Sequence, residues 1–329
     1  MILDEWLLIE TLGGPETWSV LAVGSAPRQW KSLARTVPSR LLPVLAAAVE
    51  TREPVELELP RSRHAWSRQR ARAVPVLGPD GEVYAVRFRV GDVTVAPVPP
   101  VAPFRMDART RRTEVVSAGL GPDFTRGRSV WVGAESFEYM ERFDGALDLV
   151  ATVSRAEPGT RWSGTCTVRT PGGLRTLLIA TRNTDDPWCW HGLLADVTES
   201  VPAQGKSFEA ATVDTLMSSD PGLYLAVVDT ARVRLIRWIS APVPGLRWTG
   251  ETDERTLPHP DDRARILAAR NDILNGAPFH ALSGLRLAAT DDTWLTVDVE
   301  TSPLPYGPAH GGPPQFALVR ITLRSRSDG

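Results

Sequence analysis

The sequence predicts an α+β protein of three successive units, each an antiparallel sheet with helices on one face. Three observations predict it. Proline-rich joints at Val95–Pro103 (VAPVPPVAP) and Glu199–Ser207 (ESVPAQGKS) cut the 329 residues into three pieces of similar length, 1–98, 99–203 and 204–329. Each piece runs through the same order: two β-rich stretches, a helical middle, then a three-strand meander. Each meander is broken by turn residues: Gly78-Pro79-Asp80-Gly81, Pro171-Gly172-Gly173 and Asp291-Asp292.

In the first unit the strands are WLLIE (Trp6–Glu10) and TWSVLAV (Thr17–Val23). A helix around LPVLAAAVE (Leu42–Glu50) follows, then VELELP, WSRQRARAVPVL and VYAVRFRVGD. In the second, Phe104–Asp107 and Thr113–Ser117 are short strands, and the apolar spacing of Glu135–Phe143 and Ala146–Ser154 predicts two helices. Its meander is RWSGTCTVRT, LRTLLIATRN and WCWHGLLADV (Arg161–Val197). The third opens with a helix and the turn Asp220-Pro221-Gly222. Strands Leu223–Asp229 and Val233–Ser240 come next, and then Ala281–Ala289, Trp294–Glu300 and Gln315–Leu323. The proline joint at Val95–Pro103 excludes both a continuous helix and a central strand there.

The third unit's helix starts in LPHPDDRARILAARNDILNG (Leu257–Gly276). His-Pro-Asp-Asp looks like a metal or catalytic knot, but a helix start accounts for it. Pro258 and Pro260 bar helix before them, and Asp261 or Asp262 can cap the new one. Ile266, Leu267, Ile273 and Leu274 then give an apolar face, with Ala269 between them. Asn275-Gly276 supplies the stop.

Strand pair, helices and three-strand meander, with HPDD opening the last helix, resemble the PAS fold. PVLGPDGEVYAVRFRVGD and GLLADVTES look like PAS closing strands. The chain resembles an actinobacterial triple sensor-domain family of tandem PAS-like modules, with a GAF-like module as the alternative for its first unit. Only Lys31 and Lys206 among 37 basic residues are lysine, which fits a high-GC genome of that kind. The resemblance implies a non-catalytic sensor that binds a small molecule, a protein, or both. A structural adaptor or scaffold with no small-molecule ligand stands beside that reading, and an enzyme with a degenerate site is a third.

Composition agrees with a soluble cytoplasmic protein. Hydrophobic residues make up 42% and charged residues 23%, and the formal net charge of −2 gives no field toward nucleic acid or membrane. No apolar run reaches the roughly 18 residues of a membrane span. The acidic start MILDEWLLIETLGG lacks the basic region of a signal peptide. Arg68, Arg70 and Arg72 on one strand face and the run Arg105–Thr113 could suggest nucleic acid. Aromatic interleaving is thin, however, and an ion-paired surface is expected instead.

Catalytic motifs are missing: the chain has no P-loop, Gly-x-Ser-x-Gly, His-Glu-x-x-His or Cys-x-x-Cys. Cys189 and His191 share a strand face with Leu193, Ala195 and Val197, an apolar face expected to pack. No haem, flavin or metal is expected, His191 being the one residue through which a PAS-type haem could be held. Cys166 and Cys189 fall two strands apart, roughly 9–10 Å, which is too far for a disulfide. The candidate ligand pocket is lined by the core-facing set Leu285, Leu287, Val297, Val299, Val319 and Ile321. It is uniformly apolar, so a polar ligand is not expected there. Alternation places Trp294, Phe316 and Leu318 on the outer sheet face. They await either a neighbouring domain or a partner: another protein, an output domain in trans, or a second copy.

Overall fold

The computed structural model describes residues 4–60, 69–91, 97–124, 127–155, 157–305 and 313–324. Three antiparallel sheets are gathered into two compact units. One holds residues 1–130 and 139–205, the other residues 131–138 and 206–329. No described helix is long and apolar enough to cross a membrane.

The first sheet contains β1 (Leu7–Glu10), β2 (Ser19–Val23), β3 (Ala26–Ser32), β4 (Val55–Glu58), β5 (Arg70–Leu77) and β6 (Val83–Gly91). Their order is β3-β2-β1-β6-β5-β4. Helix α1 (Leu42–Thr51) precedes β4 and lays Val44, Leu45 and Ala48 on Leu7, Ile9, Val20 and Phe88. It stops where Arg52 turns left-handed, at φ 59°. Alternation leaves Leu8, Leu21 and Ala85 on the opposite face, and Tyr84 joins them where the register between β5 and β6 shifts, Val76 facing Ala85 and Leu77 facing Val83.

The second sheet contains β7 (Val101–Asp107), β8 (Arg112–Val115), β9 (Val130–Val132) and β10 (Met140–Arg142). It also contains β11 (Arg161–Thr170), β12 (Gly173–Asn183) and β13 (Cys189–Asp196), in the order β10-β11-β12-β13-β7-β8-β9. Helix α2 (Ala146–Arg155) lies between β10 and β11 in sequence. Leu178, Ala180, Leu193, Ala195 and Val197 pack directly against Leu8, Leu21, Tyr84 and Ala85 of the first sheet. The apolar face predicted for Leu193, Ala195 and Val197 therefore serves a core that the two sheets share. Each large aliphatic side chain so buried contributes roughly 1.5–3 kcal/mol.

A charged edge borders that core. Glu10 is fully buried; its Oε1 accepts the Leu12 N–H at 2.9 Å and lies 3.5 Å from Arg182 Nη1. Burial raises the Glu10 pKa, and the charges of Arg182 and Arg161 oppose that shift.

The second compact unit contains α3 (Phe208–Ser218), β14 (Leu223–Asp229), β15 (Arg234–Trp238), α4 (Arg263–Leu274), β16 (His280–Ala288), β17 (Trp294–Pro303) and β18 (Phe316–Leu323). The sheet order is β15-β14-β18-β17-β16. Ser207 caps α3 by accepting the Ala210 N–H, yet no α3 residue is buried.

Four expectations are corrected. Glu135–Phe143 is not a helix: a 3-10 turn covers Gly133–Phe137 and β10 follows. The reason is Glu135, which is 2% exposed and turned inward, accepting the N–H groups of Val132 at 3.2 Å and Gly250 at 2.6 Å. Pro103 does sit in a central strand, between β13 and β8. Its carbonyl accepts the Val116 N–H at 2.9 Å, so its missing N–H points the same way, past the end of β8. Leu267 is 52% exposed; the buried face of α4 is Ile266, Ala269 and Ile273, at i, i+3 and i+7. Phe316, expected to face outward with Trp294, is fully buried.

Candidate functional site

The local chemistry of Leu257–Gly276 positions the site. His259, not an aspartate, caps the first turn: its Nδ1 accepts the Asp261 N–H at 3.3 Å. Asp262 instead ties the helix start to β16. Its carboxylate accepts the Arg286 N–H at 3.1 Å, Arg286 Nε at 2.9 Å and Arg265 Nη1 at 3.1 Å. Those bonds, Arg286's first among them, hold the carboxyl well below its usual range, at about 2. The other end of α4 is pinned to the β14–β15 turn. There Arg270 donates to the carbonyls of Thr230 at 2.7 Å and Ala231 at 3.1 Å. Gly276, at φ 96°, ends the helix.

Held at both ends, α4 spans the sheet without filling the space beneath it. A recess of about 160 Å³, partly open to solvent, remains, lined by Ile266, Ala269, Arg270 and Ile273 of α4 and by side chains of four strands. Of the predicted set, Leu285, Leu287, Val299, Val319 and Ile321 line it, while Val297 is buried in the core beside it. Alternation on β18 turns Ala317 inward with Val319 and Ile321, and it too lines the recess, while sequence reasoning missed Leu282 and Val228. Leu282 enters through a bulge. The register shifts between Leu282 and Leu285, and Gly284 takes φ 65° and gives its N–H to Asp298 Oδ1 at 2.8 Å. The bulge puts residues three apart on one face, and Ser283-Gly284 inside a strand was the available signal. Three polar groups at the margin are already bonded. Asp229 accepts the Ala231 N–H at 2.7 Å, Thr230 donates to the Pro314 carbonyl at 2.5 Å, and Arg270 is occupied as above. The chemistry is that of an apolar site.

Trp294 is 41% exposed and meets His259 edge-on at 4.7 Å, and Leu318 is half-buried. Exposed apolar side chains in this unit also include Phe208 (82%), Leu216 and Phe279, which sequence reasoning passed over. Trp294→Ala in the full chain is expected to cost about 1 kcal/mol by denaturant unfolding, the scale of one edge-on aromatic pair.

Of the arginine face, Arg72 pairs with Glu56 at 3.1 Å, Arg70 is exposed, and Arg68 lies outside the described residues. Arg109 stacks over Trp188 at 5.4 Å. Both cysteines are free and buried. Cys166 pairs with Leu177 and so with the Asp196 end of β13, whereas Cys189 begins that strand. His191 stacks on Tyr84 at 4.4 Å, at the edge of the shared core. Among the described residues no three His, Cys, Asp or Glu are arranged to hold a metal.

Fold and cavity define an α+β protein of three antiparallel sheets with an apolar chamber under its last helix. Residues 5–100 match the family model described as Rv3651-like, N-terminal, and residues 212–305 that described as Rv3651-like, C-terminal domain. The chain carries the N-terminal and C-terminal domains of the Rv3651-like family. An uncharacterized protein from Mycobacterium tuberculosis has a similar crystal structure (TM-score 0.74, 19% identity). The similarity covers 99% of this chain and 98% of that one, so the fold is shared end to end. An RNA-binding light-oxygen-voltage receptor (TM-score 0.25, 12% identity) matches over 68% of this chain and 95% of its own. The periplasmic sensory domain of a Campylobacter jejuni chemoreceptor (TM-score 0.18, 8% identity) matches over 62% and 76%. These two likenesses are too slight to bear on function. No curated protein matches the chain.

Proposed function

We propose that this protein is a non-catalytic sensor whose third sheet takes a small apolar ligand under α4 and passes its state to a protein partner. The observation that carries the reading is the chamber of about 160 Å³. A purely structural module would be expected to cover that recess, because apolar lining left in contact with water forfeits burial energy. A chamber of this size and lining suits a molecule of about benzene's dimensions. The reading needs no haem: the imidazole nitrogen of His191 that could take iron already faces Cys189 and Asp80. The exposed Phe208, Leu216 and Phe279 support a partner in trans.

Native mass spectrometry of the purified full chain tests the reading. A species carrying one small-molecule adduct, lost from a variant with Ala269→Leu, supports it. A bare chain that also stays bare when offered apolar molecules returns the protein to the scaffold reading.

A further inference from the structure

At the edge of the core shared by the first two sheets, five reactive or charged side chains converge. Cys189 Sγ lies 3.5 Å from His191 Nε2, and Arg105 Nε donates to the same sulfur at 3.4 Å. Asp80 Oδ2 is 3.6 Å from that imidazole nitrogen and accepts the Tyr84 hydroxyl at 2.9 Å. The Tyr84 ring in turn stacks on His191, so the imidazole is held on its face and at its edge. The sequence reading took Cys189 and His191 for core packing, and the chamber under α4 does not use them.

We propose that Cys189 is a redox-modification site, oxidised to a sulfenic acid by small hydroperoxides. The arrangement supplies what a reactive thiol needs: an acceptor for its proton and a cation beside the sulfur. His191 takes the thiol proton at Nε2, with the Asp80 carboxylate close enough to stabilise the imidazolium. Arg105 stabilises the thiolate. The sulfur attacks one oxygen of the hydroperoxide; the S–O bond forms as the O–O bond breaks. The departing alkoxide takes the proton that His191 held, so thiol plus hydroperoxide gives sulfenic acid plus alcohol, or water from hydrogen peroxide. Sulfur supplies the two electrons.

Selectivity follows from burial. Cys189 is 9% exposed, which suits a small oxidant over a bulky reagent. Burial keeps His191 toward its neutral form, with Asp80 opposing, so the ring nitrogen is free to accept a proton. Cys166 is an internal contrast: burial pushes its thiol up to about 12, and the sulfur is protected. It is also too far along the sheet to resolve the sulfenic acid as a disulfide, so an external thiol must reverse the oxidation.

The test treats the native full chain with dilute hydrogen peroxide, removes the peroxide with catalase, unfolds the chain in denaturant containing dimedone to trap the sulfenic acid, and maps the adduct by peptide mass spectrometry. Cys189 is expected to be labelled at least about tenfold faster than Cys166, whose burial disfavours the thiolate. Arg105→Met and His191→Phe, the latter keeping an aromatic ring on Tyr84, are each expected to slow labelling about tenfold with unchanged unfolding midpoints. Cys166→Ser is expected to change nothing. Equal labelling of both cysteines, no labelling of native Cys189, or variants that react at the wild-type rate would overturn the proposal. The wild-type comparison decides it even if a variant folds poorly.

Discussion

Leu193→Ala is expected to destabilise the first compact unit by about 3 kcal/mol and to weaken both of its sheets together. The magnitude is that of a large-to-small change at a site that cannot collapse. Leu193 is 1% exposed on β13, and its neighbours in the core include Leu8, Leu21 and Tyr84 of the other sheet. Alternation is what makes the two sheets one unit. On each strand one face packs within its own sheet and helix, and the other packs against the second sheet. Hydrogen exchange under mild denaturant, followed by peptide, measures it. Protection should fall in β1 and β6 as much as in β12 and β13. A loss confined to β12 and β13 would show that the sheets fold independently.

Asp262→Ala is expected to cost the second unit about 1–2 kcal/mol, the scale for a carboxylate hydrogen-bonded to charged groups whose arginine partners stay partly in water. The residue is 4% exposed and its carboxylate takes three N–H donors from Arg286 and Arg265. Its folded pKa of about 2 lies below the ordinary 3.8. The stabilisation is therefore complete above about pH 4 and is lost as pH falls toward 2. Denaturant unfolding at pH 7 and pH 3 should show a smaller acid loss in Asp262→Ala than in the wild type. Asp262→Asn, which keeps one acceptor oxygen but cannot ionise, should lie between the two in stability at pH 7 and match Asp262→Ala in its acid loss. Parallel acid profiles in all three would remove Asp262 as the tie between α4 and β16.

Most of the strands were legible in the sequence because their alternation is local. RWSGTCTVRT became β11 residue for residue, and the Asp229-Thr230-Ala231 turn separates β14 from β15 as expected. The losses came where a distant group overrides a local pattern. Glu135–Phe143 has helical spacing, but Glu135 is drawn inward by the Gly250 N–H, 115 residues on. Leu267 fits a seven-residue spacing, yet the chain places Ile266 and Ala269 over the sheet and Leu267 in water. Pro103 violates a rule about central strands, and only the point at which β8 ends makes it harmless. The site was legible to the same degree. Five of six pocket residues follow from alternation, while Leu282 needed the bulge at Gly284. The cluster around Cys189 joins Asp80 of the β5–β6 turn and Tyr84 of β6 to Arg105 and His191 of the second sheet, and no spacing along the chain brings the two sheets together.

The chamber under α4 is tested most directly by titrating the full chain with benzene while following methyl resonances by NMR. The account predicts saturable shifts confined to Leu282, Leu285, Val299, Ile266 and Ile321, which line the chamber. It predicts their disappearance in Ala269→Leu, which adds three carbons to the α4 wall. Shifts that grow linearly with benzene and spread over the surface, or that persist unchanged in Ala269→Leu, would contradict it.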